Sequence, residues 1–177
     1  MKKLQLLTTT ILLAGLTLTA QAVDHKELQA DVDAAIKTFK KADSSLNATF
    51  AKASGYVVFP NVGKGGFIVG GAHGNGHVFA RGKLIGYASL TQVTVGAQIG
   101  GQEFSEVIFF ETKEALAKFK ESGYALSAQL SAVAAAEGAS KDAKYVDGVL
   151  VFTQAKKGLM VEASVGGQKF KFEPVGK

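Results

Sequence analysis

Apolar and polar positions change rhythm twice along this chain. Leu28, Val32, Ile36 and Phe39 recur at spacings of four, four and three, the stripe of an amphipathic helix. Asp24 stands where its carboxylate can cap that helix. Lys37, Lys40 and Lys41 fall near its C-terminal end, where cations either complement the helix dipole or form a basic, membrane-facing surface. Asp43-Ser44-Ser45 breaks the stripe and can start a second short helix, with Leu46 and Phe50 inward. From Gly55 the texture becomes β-like, with short runs at 56–59, 67–69, 77–80, 84–87, 92–99 and 106–110 punctuated by glycine. Thr112 can cap a helix reaching about residue 121, with Ala115, Leu116 and Phe119 inward. Tyr124, Leu126, Ala128, Leu130 and Ala132 alternate at period two, which predicts a strand despite the alanines. Residues 137–144 read as a polar loop and 146–153 as a further strand.

Glycine placement sharpens the β reading. VGAQIGGQEF (95–104) recurs as VEASVGGQKF (161–170), and a Gly-Gly pair between β-like runs is a two-residue hairpin signal. A type I′ turn at Gly166-Gly167 would pair Val165 with Gln168, Ala163 with Phe170 and Val161 with Phe172. The first copy would set Ala97 opposite Phe104. FPNVGKGGFIVGGAHGNG (59–76) carries seven glycines. Gly66 and Gly70 are four apart, as are Gly96 and Gly100, so each pair shares one strand face. Gly63, Gly65, Gly66, Gly70 and Gly71 are the candidates for close approach by another backbone or a ligand. The expected fold is α+β: a strongly twisted antiparallel sheet curled towards a barrel or sandwich, with N-terminal helices and one mid-chain helix.

Motif tests remove most chemistry. A Walker A loop ending at Gly63-Lys64 or Gly82-Lys83 would need its first glycine at Val58 or His77, and a dinucleotide fingerprint from Gly74 would need glycine at Phe79. His73 and His77 are four apart in a glycine-rich segment, which reads as a surface turn rather than a helical zinc pair. Glu103, Glu106 and Glu111 read as solvated strand edges. No G-x-S-x-G elbow occurs, and the chain has no cysteine, so packing rather than disulfides must stabilise it. Neither a metal nor a cofactor is called for.

The first 22 residues read as an export signal: Lys2 and Lys3, an uncharged stretch over 6–18, then Ala20-Gln21-Ala22. Cleavage after Ala22 would remove two lysines and lower the net charge from +5 to +3, too mild for a nucleic-acid footprint. The mature chain is expected to be a single domain, with a helical lead-in at 23–54 and a β-rich part at 55–177, located in the periplasm or secreted.

Three segments, GYVVFPNVGKGGFIVGGAHGNGHVFARG (55–82), VGAQIGGQEFSEVIFFET (95–112) and GVLVFTQAKKGLMVEASVGGQKF (148–170), resemble the SYLF-domain family, and most closely its short bacterial envelope members. The resemblance implies binding of anionic lipid, phosphoinositides in eukaryotic members, without catalysis; some eukaryotic members also bind actin. GYASLTQVTVGAQ (86–98) departs from larger members, which carry a tryptophan-proline pattern there. The resemblance also favours a strand over a helix at 124–132.

The leading expectation is therefore a non-enzymatic module that binds anionic headgroups at a membrane surface. Lys64, Arg81, Lys83, Lys156 and Lys157 are the headgroup candidates, expected to converge in one patch beside glycine-rich backbone, since each basic residue near an anionic membrane contributes about 1 kcal/mol. Two alternatives stay open: a structural or protein-interaction module of the envelope, and a carrier of an apolar ligand enclosed by the curled sheet.

Overall fold

A computed structural model describes residues 24–65, 69–95, 102–157 and 165–176. The export-signal reading falls on residues outside that set. The described residues form α1 (His25–Ala42), α2 (Leu46–Lys52), β1 (Gly55–Gly65), β2 (Val69–Ala80), β3 (Lys83–Val95), β4 (Gln102–Phe110), α3 (Lys113–Phe119), β5 (Val133–Ala134), α4 (Ala139–Asp142), β6 (Val149–Lys157) and β7 (Lys169–Pro174). The strands make one sheet in the order β5-β6-β4-β1-β2-β3-β7, twisted and curled but not closed. All pairs are antiparallel except the two-residue β5–β6 pair, which is parallel. The α+β expectation holds, with α4 and the parallel pair as additions.

Local chemistry sets the element boundaries. Asp24 accepts from the Lys26 and Glu27 amides at 2.8 and 3.4 Å, and Thr112 Oγ1 accepts from the Ala115 amide at 3.1 Å. Both caps are the residues the pattern named. The β2–β3 link is the two-residue turn Arg81-Gly82, with φ of 49° and 76°, the type I′ geometry that matches strand twist. Gly166-Gly167 differs from expectation. Only Gly167 has positive φ (78°), so the turn is not type I′, although the Gln168 amide still donates to the Val165 carbonyl at 3.2 Å. The expected partner residues 161–164 and Ala97 lie outside the described residues. Phe170 pairs with Leu90 of β3.

The sheet carries a core on each face. On one, Phe39 and Val32 of α1 and Leu46 and Phe50 of α2 pack on Tyr56, Val58, Phe79, Val107, Phe109, Leu150 and Phe152. The concave face buries Phe59, Val62, Leu90, Phe104, Ile108, Phe110 and Phe170, together with Phe119 of α3. Ring centroids there lie 5.8 Å apart for Phe59–Phe170, 4.9 Å for Phe110–Phe119 and 5.3 Å for Phe119–Phe170. Among the described residues, these rings fill the concave face where an apolar cargo would have to sit.

Residues 124–132 do not form the expected strand. The segment is a strap linking the two sheet edges. Tyr124 and Leu126 bond to the start of β7 (Phe170 N to Tyr124 O, 3.0 Å; Leu126 N to Gln168 O, 3.0 Å), and β5 lies against β6. Between these ends the Leu130 amide donates to the Ser127 carbonyl at 3.0 Å, a turn that breaks the alternation while burying both Leu126 and Leu130. Burial of Leu126 and Leu130, rather than strand pairing, explains the apolar positions, and Ala128 between them is exposed.

Glu106 corrects a second expectation. It is fully buried on the concave face rather than solvated, because it alternates in phase with Phe104, Ile108 and Phe110. Its Oε2 accepts from Gln168 Nε2 at 2.9 Å, while Oε1 has no partner. Burial pushes its carboxyl up to about 7, against the opposing effect of the Gln168 bond.

The curl depends on β2, whose Gly74 and Gly76 face the concave core. A Cβ at Gly76 would collide with the Val58 carbonyl oxygen and stand 2.8 Å from the Phe59 ring. Register shifts between Val58 and Asn61 at this point, a bulge that bends β1.

Close packing and burial each make a measurable prediction. Gly76→Ala must displace backbone, and overpacking costs roughly 1–3 kcal/mol, so its thermal midpoint should fall by roughly 2–10 °C. Gly63→Ala, with nothing within 4 Å of its Cβ, should shift it by less than about 2 °C; equal effects would contradict the close-packing account. For Glu106, a carboxyl raised from 4.5 to about 7 keeps its stabilising proton below pH 4.5 and loses that contribution as pH rises through 7, on the order of 3 kcal/mol in all. Glu106→Gln should remove this slope and raise the midpoint at pH 8 by roughly 5–10 °C, and a wild-type midpoint that is flat from pH 5 to 8 would contradict it.

Candidate functional site

The five headgroup candidates do not converge. β1 and β2 run antiparallel, with Gly55 opposite Ala80 and Lys64 opposite Ala72. Lys64 therefore lies nine strand residues from the level of the Arg81 turn, on the order of 30 Å at 3.3 Å per residue. Lys156 and Lys157 belong with Lys64: Lys64 pairs with Gln102 on β4, and the next residue, Glu103, pairs with Lys157 on β6. Arg81 and Lys83 stand at the opposite end. The expected single patch is thus two separate groups, a consequence of register that residue types alone do not reveal.

At the Lys64 end, Lys156 is already engaged. Its Nζ donates to Asn61 Oδ1 at 2.5 Å, and Asn61 Nδ2 donates to Asp31 Oδ2 at 3.0 Å. This chain of bonds ties β6 through β1 to α1 and places a carboxylate beside the ammonium group. The close-approach glycines are not where they were expected. Gly63 has open space around its Cβ position, and Gly71 makes ordinary contact at 3.4 Å. Gly65 and Gly70 are described only by their strand pairing, and Gly66 lies outside the described residues. The crowded positions include Gly74 and Gly76.

The Arg81 end forms a cleft. α2 and its exit, Phe50, Ala51, Lys52, Ala53 and Ser54, face Arg81 and Gly82 across a shallow recess of about 430 Å3. Several constraints fix its walls. The Phe50 ring meets Tyr56 edge-on at 5.0 Å and Phe109 at 4.8 Å. Ser54 anchors the exit, its amide donating to the Phe110 carbonyl at 2.9 Å and its hydroxyl to that of Glu111 at 3.0 Å. The type I′ turn presents Arg81 at the tip of the hairpin. Lys40 Nζ stands 5.0 Å from the centroid of the same Phe50 ring, a cation–π distance. Lys40 and Lys52, from two helices, thus join Arg81 around Phe50, and Lys83 is exposed just after the Arg81 turn. Among the described residues, no carboxylate lies within ion-pair distance of any of the four. Lys37 and Lys41 are exposed on the last turns of α1. Lys52 was not singled out in the sequence, where it is one lysine at the end of a seven-residue helix.

The wall built by α2 hangs on Asp43. This fully buried carboxylate accepts from the Ser45 amide at 3.0 Å, the Ser140 amide at 2.7 Å, the Gly138 amide at 3.2 Å and the Ser45 hydroxyl. It binds the α1–α2 corner to the start of α4. Burial pushes its carboxyl up, but the Ser45 and Ser140 hydrogen bonds outweigh burial and hold it well below the usual carboxylate range.

The histidines are not in a turn. Both lie on β2, with His73 exposed and His77 buried. Among the described residues, no group of three or more His, Cys, Asp or Glu side chains could hold a metal ion.

Residues 91–174 match the family model Ysc84, described as Las17-binding protein actin regulator. This stretch belongs to the SYLF (Ysc84) family. The chain is also 31% identical over 140 residues to Beta cell expansion factor A of Aeromonas veronii, an alignment covering 78% of this chain and 53% of that protein. The chain thus spans about half the length of the relative it matches. The SYLF stretch runs from the middle of β3 to the end of β7 and includes Lys156 and Lys157, whereas Lys52 and Arg81 precede it.

Asp43→Asn keeps the size of the side chain but turns one acceptor into a donor facing amide hydrogens. The loss should be roughly 2–4 kcal/mol, since charge-assisted bonds contribute about 1.5–3 each, measured by urea unfolding at pH 7. A lowered carboxyl stabilises above its ordinary value of 3.8 and loses that contribution as pH falls through its folded value. The gap between wild type and variant should therefore narrow below pH 3.8, and a constant gap down to pH 2 would refute the assignment.

Proposed function

We propose that this protein is a non-enzymatic lipid-binding module of the bacterial envelope, and that it takes anionic headgroups at the end of the sheet where Lys40, Lys52 and Arg81 lie about Phe50 and Lys83 follows the Arg81 turn. The observation that carries the reading is the shared cleft of Lys52 and Arg81, two cations without a carboxylate partner among the described residues. A guanidinium beside an ammonium suits phosphate oxygens, the first by paired donors and the second as a point charge. The neighbouring basic turns of α1 extend the positive surface, and family membership supports a lipid-related role. The envelope location rests on the export-signal pattern of residues 1–22.

A second reading has its own observation. On the α1 side of the sheet, beyond the helix, Gly63, Gly71 and Thr91 are exposed and Val93 is 76% exposed. This smooth backbone surface suits a protein partner.

Co-sedimentation with vesicles separates the two. Binding to phosphatidylglycerol-containing vesicles should exceed binding to phosphatidylcholine vesicles and should weaken between 50 and 500 mM salt (illustrative conditions, about 14 and 4 Å Debye length). Lys52→Ala with Arg81→Ala should weaken it roughly 30-fold, at about 1 kcal/mol per cation, while Lys64→Ala with Lys156→Ala should change it less than about threefold. Salt-insensitive binding to both vesicle types would sink the electrostatic reading. No vesicle binding, with loss of a pulled-down partner on Val93→Lys, would favour the second.

A further inference from the structure

The first two turns of α1 rest on a small aromatic and histidine cluster. His25, the first residue of the helix, stacks on Tyr87 of β3 with centroids 3.9 Å apart and planes at 21°. Tyr87 is directly opposite His77 in the β2–β3 register, and their rings meet edge-on at 5.0 Å. His77, 1% exposed, places Nδ1 3.0 Å from Gln29 Oε1, one turn further along α1.

The hydrogen bonds fix which nitrogen carries the proton. Gln29 Nε2 donates to Asp33 Oδ1 at 2.9 Å, so its amide oxygen is the atom turned to His77. An oxygen only accepts. His77 Nδ1 therefore carries the hydrogen, and Nε2 is a bare lone pair. That Nε2 is buried with no partner. A second proton would put an N–H there with no acceptor, at the cost of an unsatisfied buried charged donor.

We propose that His77 and His25 form an acid-released latch that holds the first two turns of α1 on the sheet. Below the ordinary histidine range, protonation of His77 places a charge with an orphaned donor under the first turns of the helix, next to the Tyr87 ring on which His25 stacks. The groups facing the pair are limited. α1 contributes Gln29 and Asp33, β3 contributes Tyr87, and β2 contributes Phe79; Lys171 and Glu173 of β7 line the same recess as His25. Burial and His25 lower the His77 value, and Asp33 opposes them. A folded-state value below 6.5 means the contact stabilises fully above pH 6.5 and loses that contribution as pH falls through the folded value.

Release has room to occur locally. A recess of about 160 Å3 already lies between α1 and β2–β3, lined by His25, Leu28, Gly76 and Tyr87 among others. Beyond the first two turns, Val32, Ala35 and Phe39 are buried and hold the rest of the helix. The latch is independent of the lipid reading, since it uses none of the cations around Phe50.

Hydrogen exchange followed by mass spectrometry at pH 7.5 and 5.0, corrected for intrinsic rates, tests it. Peptides covering residues 25–31 should lose about tenfold or more protection at pH 5.0, while β1 and β4 keep theirs. His77→Gln, neutral at both pH values, should remove the difference. Should that variant fail to fold, NMR titration of the wild type gives a second measure, with the His77 ring expected to titrate below 6.5. Unchanged protection in the wild type, a variant as pH-sensitive as the wild type, or a His77 midpoint at or above 6.5 would each overturn the latch.

Discussion

The rest of the structure depends on how closely β2 approaches β1. At Gly74 and Gly76 the backbone of β1 occupies the volume where side chains would begin, and β1 absorbs the resulting bend in a bulge between Val58 and Asn61. A sheet bent there wraps its concave face around Phe59, Phe104, Phe110, Phe119 and Phe170. Each buried phenylalanine contributes about 1.5–3 kcal/mol, so a handful of rings outweighs both the lost glycine side chains and the buried Glu106. The strap at 124–134 completes the arrangement by joining the β7 and β6 edges. A flat sheet would leave those edges too far apart for so short a segment.

The same bend settles what the glycine-rich block is for. Its glycines lie on strands β1 and β2, apart from Gly66, outside the described residues. A phosphate-wrapping loop would need backbone amides turned outwards from a turn, whereas these strands spend their amides on neighbouring strands. Function has to be sought at the ends of the sheet, where helices and hairpin turns bring side chains together.

Much of the fold was legible because local patterns have local causes. The α1 stripe, the Asp24 and Thr112 caps and the inward Ala115, Leu116 and Phe119 each depend on residues within a turn or two. Glu106 was legible in principle: alternation from Phe104 through Ile108 to Phe110 places it inward, and only the habit of reading carboxylates as solvated hides it. The site was less accessible. Chain reversal between Gly65 and Val69 sends Arg81 to the far end from Lys64, which strand length could have signalled. Nothing local, however, brings Lys52 to Arg81. That meeting requires α2 to be pinned by Asp43 through Gly138 and Ser140, far along the chain at the start of α4, and such pairing leaves no periodic trace.

These constraints leave the molecule electrically divided along α1. Its cap and first half carry Asp24, Glu27, Asp31 and Asp33 against the single Lys26, and its second half Lys37, Lys40 and Lys41, an arrangement that also complements the helix dipole. The acidic half leans on Asn61 and, through Gln29, on His77; the basic half ends beside Phe50, Lys52 and Arg81. An anionic surface would therefore attract the basic end of α1 more strongly than its acidic start, where Lys26 and, through Asn61, Lys156 offset the carboxylates. Orientation of this kind needs no pocket, because it follows from the difference in charge between the two halves of one helix. It also places the histidine contact away from the attracted end, so loosening the first turns of α1 leaves the cations around Phe50 in place.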